Sequence, residues 1–151
     1  MPVRNMQVAE IGGSDPGLAS ALAGANLPID DLTEAGRTFY VFRDQGGDVL
    51  GYGGIESYGA VALLRSVVVA KDRRGQGIGV QLVNWLLERM SALGCQDIYM
   101  LTTTAVRLGE NCGFQRIDRS DAPQAIRDSR QMAALCPASA VLMHRKGNGH
   151  G

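Results

Sequence analysis

The stretch from Leu63 to Leu93 constrains the fold more than any other part of the chain. It begins with an apolar, β-branched run that ends at Val69, which is the composition of a buried strand. A glycine-rich loop, RRGQGIG at 73–79, follows directly. After the loop, apolar residues recur at helical spacing up to Gly94, and this predicts an amphipathic helix. The sequence therefore predicts a strand, a glycine loop and a helix in direct succession.

This order of elements favours an anion site at the start of the helix. Glycines without side chains let backbone N–H groups approach a phosphate, and the helix N-terminus adds its positive end. A dinucleotide fingerprint is excluded because Val80 stands where its third glycine belongs. A nucleotide-triphosphate loop is excluded because no Gly-Lys-Ser/Thr triplet occurs. The remaining pattern is Arg74-x-x-Gly77-x-Gly79, for which a tight turn without a ligand is the alternative reading.

The pattern resembles the pyrophosphate loop of the GNAT family of N-acetyltransferases, whose R/Q-x-x-G-x-G/A segment binds acetyl-coenzyme A (acetyl-CoA). The resemblance implies a mixed α/β fold of the α+β type, with helices flanking a mostly antiparallel sheet whose central strands splay apart. It implies that the loop and the opened edge of the preceding strand contact acetyl-CoA, because such an edge has unpaired backbone groups. The residues implied are Val67, Val69, Arg74, Gly75, Gln76, Gly77, Ile78, Gly79, Val80 and Thr102.

Residue patterns place the other elements in a single domain over 1–145. Further strands are predicted at 6–11, 38–43, 49–58, 97–102 and 138–145. Further helices are predicted to begin at Asp15-Pro16, Ala105, Asp121 and Gln131. The polar tail at 146–151 is predicted to be disordered.

Composition excludes several classes of partner. Lys plus Arg and Asp plus Glu both number 15, so no overall charge points to nucleic acid or a membrane. The N-terminus lacks the apolar core of a signal peptide, and no run reaches membrane-spanning length. Three cysteines without a C-x-x-C motif indicate reduced thiols. A cytoplasmic protein is therefore expected, and whether it forms a homodimer stays open.

The resemblance continues after the strand at 97–102, where family members carry N-x-x-A-x-x-F-Y-x-x-x-G-F. These slots hold Thr102, Ala105, Leu108, Gly109 and Gly113-Phe114. In many members the Tyr protonates the departing thiolate, and Gly109 cannot do so. Water or a thiol such as Cys112 is expected to serve instead. Replacing Gly109 by Tyr is expected to stabilise the fold modestly, because it removes a glycine from a helix.

Two further phrases narrow the subfamily. LLRSVVV and YMLTTTA are similar to phrases in amino-acid N-acetyltransferases of the N-acetylglutamate synthase type, and SDAP with ALCPASAVLM resembles the small acetyltransferases of arsenic-resistance operons. This implies acetylation of the primary amine of a small, amino-acid-like molecule, such as an arsenic-containing amino acid. Glutamate itself is disfavoured, because Pro137 stands where glutamate-acetylating relatives carry an Arg.

The remaining candidates concern proton transfer and substrate binding. Glu56 is the only carboxylate in the strand at 49–58 and could accept the proton of the amine through water. The alternative is an exposed carboxylate without a role. Arg65, a charge beside an apolar run, is expected to anchor a substrate carboxylate, unless it simply faces solvent. The resemblance adds Ser139 of the last strand as a substrate contact.

Two other functions stay open. The vacant Tyr slot fits a non-catalytic acyl-CoA-binding sensor. Cys112 and Cys136 could together bind arsenite in a thiol-based metalloid protein, although buried cysteines usually act as small hydrophobes. No resident metal is predicted, because His144 and His150 lack a metal-binding spacing.

Overall fold

A computed structural model describes residues 6–135 and 139–147 of the chain. The strands are β1 Gln7–Ile11, β2 Arg37–Arg43, β3 Val49–Tyr58, β4 Val61–Val69, β5 Asp97–Thr102, β6 Gln115–Ile117 and β7 Val141–Lys146. The α-helices are α1 Pro16–Gly24, α2 Ile78–Ala92, α3 Val106–Asn111 and α4 Gln124–Arg127. Short 3-10 turns lie at Lys71–Arg73 and Arg119–Asp121, and a π-helical turn lies at Gln131–Leu135.

The strands form one sheet in the order β1-β2-β3-β4-β5-β7-β6. Every pair is antiparallel except β4 with β5. Alternate residues of β2 show that the sheet is covered on both faces, because Phe42 packs in the cluster with α2 and Phe39 in the cluster with α1. The predicted mixed fold, with helices flanking a mostly antiparallel sheet, is confirmed.

Local signals explain where the two long helices begin. The Asp15 carboxylate accepts a hydrogen bond from the Leu18 N–H at 3.0 Å, and Pro16 occupies the first turn of α1. Helix α2 begins after Gly77 and buries its apolar stripe against the sheet. The buried members of the stripe are Ile78, Leu82, Val83, Leu86, Leu87 and Met90. None of the described helices is long and apolar enough to cross a membrane.

Strands β4 and β5 separate soon after they begin. Their parallel pairing covers only Val61–Leu63, opposite Asp97–Tyr99. Past Leu63, β4 continues to pair with β3, but the register of that pairing shifts between Tyr52 and Gly54. On β4, Ser66 lies opposite this register shift, between the partners of Gly54 and Tyr52, and it is a non-glycine residue with a φ of +59°. The predicted splay of the central strands is confirmed, and it begins after Leu63, just before this irregularity of β4.

The structure differs from the sequence prediction at the C-terminal end. Strand β6 was not predicted, and β7 lies between β5 and β6. The Gly147 N–H donates to the Gln96 carbonyl at 2.8 Å, and β7 runs to Lys146. Residues 146 and 147 of the predicted disordered tail therefore belong to the fold, because they pair beside β5. Residues 148–151, Cys136 and Pro137 lie outside the described residues.

Candidate functional site

A cleft of about 310 Å³ occupies the gap between the splayed strands. One wall is β4 from Leu64 to Val69, and the other is β5 from Met100 to Thr102 together with Leu108 of α3. Ala25 and Leu27, which follow α1, cover part of the cleft. Within the described strands, the β4 residues after Leu63 make no backbone hydrogen bonds of the sheet to β5. The cleft therefore combines an apolar lining with backbone donors and acceptors that a ligand can use.

The glycine loop leads from the end of β4 into α2. Gly75 and Gly77 have φ values of +81° and +75°, where residues with a side chain are strained. Nothing lies within 4 Å of the point where a Cβ would stand at either glycine. Gly77 is the N-cap residue of α2, and no side chain caps the helix. The first N–H groups of α2 are thus open to an anion.

Other loop residues frame this helix end. Arg74 is exposed, lines the cleft, and places its Nε 3.4 Å from the Val69 carbonyl. Gln76 is also exposed, whereas Ile78 is buried in the core and can offer only its backbone. A Cβ at Gly79 would lie in ordinary contact with Leu108. The structure therefore brings the predicted loop residues together at one end of the cleft, with half-buried Val80 in the first turn of α2.

The predicted contacts on the strands divide into two groups. Val67, Val69 and Thr102 line the cleft. The Thr102 hydroxyl accepts hydrogen bonds from the backbone N–H of Thr104 at 3.2 Å and of Ala105 at 2.8 Å, so it also shapes the turn into α3. Ser139 is an exposed turn residue before β7, and the described residues that line the cleft do not include it.

Four charged side chains and one phenol form a network beside the cleft, and Asp31, Glu56 and Arg65 of this network are buried. We call this set of Asp31, Arg37, Glu56, Tyr58 and Arg65 the buried ion network. Both oxygens of Asp31 bind Arg65, with Oδ2 to Nη1 at 2.6 Å and Oδ1 to Nη2 at 2.7 Å. Arg65 Nη1 also binds Glu56 Oε1 at 2.7 Å, and Arg37 Nη2 binds Asp31 Oδ2 at 2.9 Å. Two carboxylates and two guanidiniums neutralise one another in the interior.

Electrostatics keep Asp31 and Arg65 in their charged forms. Burial opposes ionisation of Asp31, but hydrogen bonds and charge from Arg65 and Arg37 outweigh it and lower the pKa of Asp31. Burial likewise opposes the charge of Arg65, and Asp31 and Glu56 more than compensate, so the pKa of Arg65 is raised. Burial and the hydrogen bond to Glu56 raise the pKa of Tyr58, which stays a proton donor at neutral pH.

The expected role of Arg65 as a substrate anchor does not fit this geometry. Its guanidinium is buried and donates four hydrogen bonds within the chain, to Asp31 twice, to Glu56 and to the Ser66 hydroxyl. A guanidinium has five N–H donors, so no pair is left for a bidentate contact with a substrate carboxylate. The solvent-facing alternative is equally wrong, because Arg65 is only 4% exposed.

The proposed proton acceptor Glu56 is also placed differently from expectation. Its side chain is buried, so it is not an exposed carboxylate without a role. One oxygen accepts from Arg65 and the other from the Tyr58 hydroxyl. A general base must reach the proton that it removes, directly or through one water. Glu56 is not among the described residues lining the cleft, and we assign it to the buried ion network rather than to proton transfer.

The vacant Tyr slot faces packed side chains rather than open space. Gly109 is buried, and a Cβ there would lie 2.8 Å from the Met143 sulfur and 3.3 Å from the Met100 sulfur. Cys112 is buried in the same core, and burial raises the pKa of its thiol although Arg145 lowers it in part. The cleft lining does not include Cys112, so the structure does not support it as an acid for the leaving thiolate.

Gly109→Tyr is expected to lower the free energy of unfolding by about 1–3 kcal/mol, since an overpacked core must shift its side chains. This reverses the sequence-based expectation of a modest gain. Gly24→Tyr is the control, because Gly24 ends α1 and nothing lies within 4 Å of its Cβ position. Urea unfolding of both variants checks the difference. A Gly109→Tyr protein as stable as wild type would contradict it.

Sequence reasoning missed three members of the buried ion network, namely Asp31, Arg37 and Tyr58. A signal was nevertheless present. Arg65 stands in an apolar run, and a buried guanidinium requires buried counter-charges. That signal points to Glu56 as the partner of Arg65, but not to Asp31 or Arg37, which lie in other segments of the chain. Among the described residues, no cluster of three or more His, Cys, Asp or Glu side chains could hold a metal ion.

Comparisons with known proteins show the family and the fold of this chain. A family model described as the acetyltransferase (GNAT) family matches residues 15–114. The N-acetylglutamate synthase from Neisseria gonorrhoeae, complexed with coenzyme A and N-acetyl-glutamate, superposes with a TM-score of 0.76 at 12% identity over 97% of this chain and 36% of that one. This chain thus spans about a third of the length of the synthase.

Two shorter proteins share the fold over nearly their whole length. A putative acyl-CoA N-acyltransferase from Klebsiella pneumoniae gives a TM-score of 0.74 at 18% identity, covering 95% of this chain and 99% of that one. A variant of the spermidine N-acetyltransferase from Vibrio cholerae gives 0.69 at 15% identity, covering 94% of each chain. At such identities these likenesses show a common fold.

Proposed function

The chain belongs to the acetyltransferase (GNAT) family, and from this premise we propose that it transfers the acetyl group of acetyl-CoA to the primary amine of a small, amino-acid-like molecule. One observation carries the proposal. Arg74 of the glycine loop lines the cleft between β4 and β5 together with Val69, so the loop at the start of α2 adjoins an unpaired strand edge. Acetyl-CoA carries the complementary groups, because its pyrophosphate is an anion and its pantetheine arm bears amides that can pair with a strand edge.

The residues present fit acetyl-CoA. Gly75 and Gly77 leave open space where a side chain would block the approach of a phosphate, and Arg74 adds a positive charge. These residues and the first turn of α2 would hold the pyrophosphate. Backbone groups of Val67 and Val69 would serve the pantetheine arm and the thioester, because β5 does not pair with them.

The reaction forms a C–N bond and breaks a C–S bond. The neutral amine attacks the thioester carbonyl carbon, the thiolate leaves, and the amine proton passes to water in the open cleft. A leaving thiol with an ordinary pKa near 8.5 departs as thiolate at a cost of about 2 kcal/mol at neutral pH, at roughly 1.4 kcal/mol per pKa unit. A phenol in the Tyr slot is therefore dispensable, and deprotonation of the acceptor limits the rate.

An arsenic-containing amino acid is the acceptor that we propose more specifically. Its support is the resemblance of the segments SDAP and ALCPASAVLM to acetyltransferases of arsenic-resistance operons. The synthase with which this chain shares its fold was solved with an acetylated amino acid. Since Arg65 is engaged by Asp31 and Glu56, the acceptor carboxylate is not expected to pair with Arg65.

A thiol-release screen tests the proposal. Acetyl-CoA is mixed with the protein and with amino acids, an arsenic-containing amino acid, or spermidine as a polyamine control. Release of coenzyme A is expected to depend on an amino-acid-like amine. Acetyl-CoA binding without amine-dependent release would instead identify a sensor. Stoichiometric arsenite binding that is lost on Cys→Ser substitution would identify a metalloid-binding protein.

The pH dependence of turnover is a separate prediction. Because no tyrosine acid is assigned, turnover should rise through neutral pH as the acceptor amine loses its proton, and should level off. A tyrosine acid would add a falling limb near its ordinary pKa of about 10. Initial rates between pH 6 and about 10.5, with acetyl-CoA and acceptor both saturating, measure the profile. A clear falling limb would contradict the mechanism.

A further inference from the structure

Asp31 lies in the irregular segment between α1 and β2, yet its carboxylate is fully buried. Connecting segments normally run over the surface, because buried polar groups need partners. Asp31 has those partners, since two nitrogens of Arg65 and two of Arg37 bind it. The same segment begins near Leu27, which lines the cleft. Asp31 therefore joins the segment that covers part of the cleft to the sheet through ion pairs with Arg65 and Arg37.

Arg65 stands where the cleft opens. The ladder between β4 and β5 ends at Leu63, two residues earlier, and Ser66 follows with its φ of +59°. Arg65 Nε donates to the Ser66 hydroxyl at 3.1 Å. A non-glycine residue in this region of φ persists only where its surroundings hold it there. The hydrogen bond from Arg65 Nε to the Ser66 hydroxyl helps to keep Ser66 in this conformation.

We infer that Asp31 is a positioning residue for acetyl transfer, because its two hydrogen bonds to Arg65 fix the strained backbone of Ser66 and the edge of β4 beyond it. The inference rests on the proposed function. Glu56 binds only Nη1 of Arg65, so it cannot fix the orientation of the guanidinium plane without Asp31. Loss of that orientation would let Ser66 and Val67 shift, and a displacement of the order of 1 Å near reacting groups can reduce a rate about a hundredfold.

Asp31→Asn is the first test, because it keeps the shape of the side chain and removes its charge. With acetyl-CoA saturating, kcat should fall about 10- to 100-fold. The acetyl-CoA Kd should rise by a smaller factor than kcat falls, because only the β4 edge shifts and no loop residue from 74 to 80 contacts the network among the described interactions. A folded Asp31→Asn protein with wild-type kcat would overturn the inference.

Asp97→Asn is the control for losing an ion pair elsewhere in the sheet. Asp97 pairs with His144 at 2.8 Å and Lys146 at 3.0 Å at the start of β5, away from Ser66. The variant thus loses an ion pair from the same sheet and should keep its kcat. A general effect of losing ion pairs would instead lower kcat in both variants by the same factor, and that result would also overturn the inference.

Arg65→Lys is the second test. Lysine keeps the positive charge, but it cannot bind both oxygens of Asp31 through two nitrogens and lacks the Nε that donates to the Ser66 hydroxyl. Its kcat should fall as in Asp31→Asn, and the double variant should be no slower than the slower single one. Multiplied losses in the double variant would overturn the inference, as would wild-type kcat in Arg65→Lys if Asp31→Asn does not fold. A wild-type protein that acetylates no amine would instead overturn the proposed function, and this inference with it.

Discussion

Gly77→Val is expected to weaken acetyl-CoA binding about a hundredfold or more. Gly77 has a φ of +75°, and a β-branched residue there is strongly disfavoured. The new side chain would also stand in the open space before the N-terminus of α2, where a phosphate must approach. Losing two charge-assisted hydrogen bonds, each worth about 1.5–3 kcal/mol, accounts for a change of this size. Isothermal titration calorimetry measures it directly.

Gly59→Val is the control for backbone strain. Gly59 lies in the turn between β3 and β4, has a φ of +74°, and has nothing within 4 Å of its Cβ position. Both variants should lose similar stability, but only Gly77→Val should lose acetyl-CoA affinity. Unchanged affinity in a folded Gly77→Val protein would remove the loop from the proposed site.

Glu56→Gln is expected to destabilise the fold by about 3–5 kcal/mol, because it leaves two buried guanidiniums with one carboxylate. Such a loss is a large part of the total stability of an ordinary domain, about 5–15 kcal/mol. Turnover per folded molecule should change far less, since Asp31 still binds Arg65 with both oxygens. Urea unfolding gives the stability, and initial rates on the folded protein give the turnover.

Glu34→Gln provides the same change at the surface. Glu34 pairs with Arg130 and Arg37, but its side chain is 40% exposed, so the loss should stay below about 1 kcal/mol. The decisive contrary result is a Glu56→Gln protein with wild-type stability and turnover reduced by orders of magnitude. The loss of a limb from its pH–rate profile would confirm that result and make Glu56 the proton acceptor after all.

The central part of the fold was predictable because its signals are local. The change from a β-branched run to helical spacing on either side of 73–79 predicts both β4 and α2. The register break at Ser66 has no such signal, since serine has no preference for a positive φ. The splay of β4 from β5 accordingly came from the family resemblance and not from periodicity. Strand β6, three residues long, is too short to show a period.

The buried ion network was only partly predictable, because its contacts join distant parts of the chain. Asp31 and Arg65 are 34 residues apart, and Asp31 lies in a polar segment that reads as surface loop. Glu56 and Arg65 were recognised as unusual residues in apolar strands. Their pairing with each other, rather than with a substrate, follows only from the register of β3 and β4, which places the two side chains close together.

The position of β7 has a consequence for synthesis of the protein. Strand β7 follows β5 and β6 in sequence, but it lies between them and supplies the antiparallel neighbour of both. A nascent chain that has produced β5 and β6 therefore has two strand edges without partners. Unpaired edges of apolar strands such as IYML in β5 promote aggregation. The ribosome-bound intermediate should thus depend on chaperones until β7 emerges.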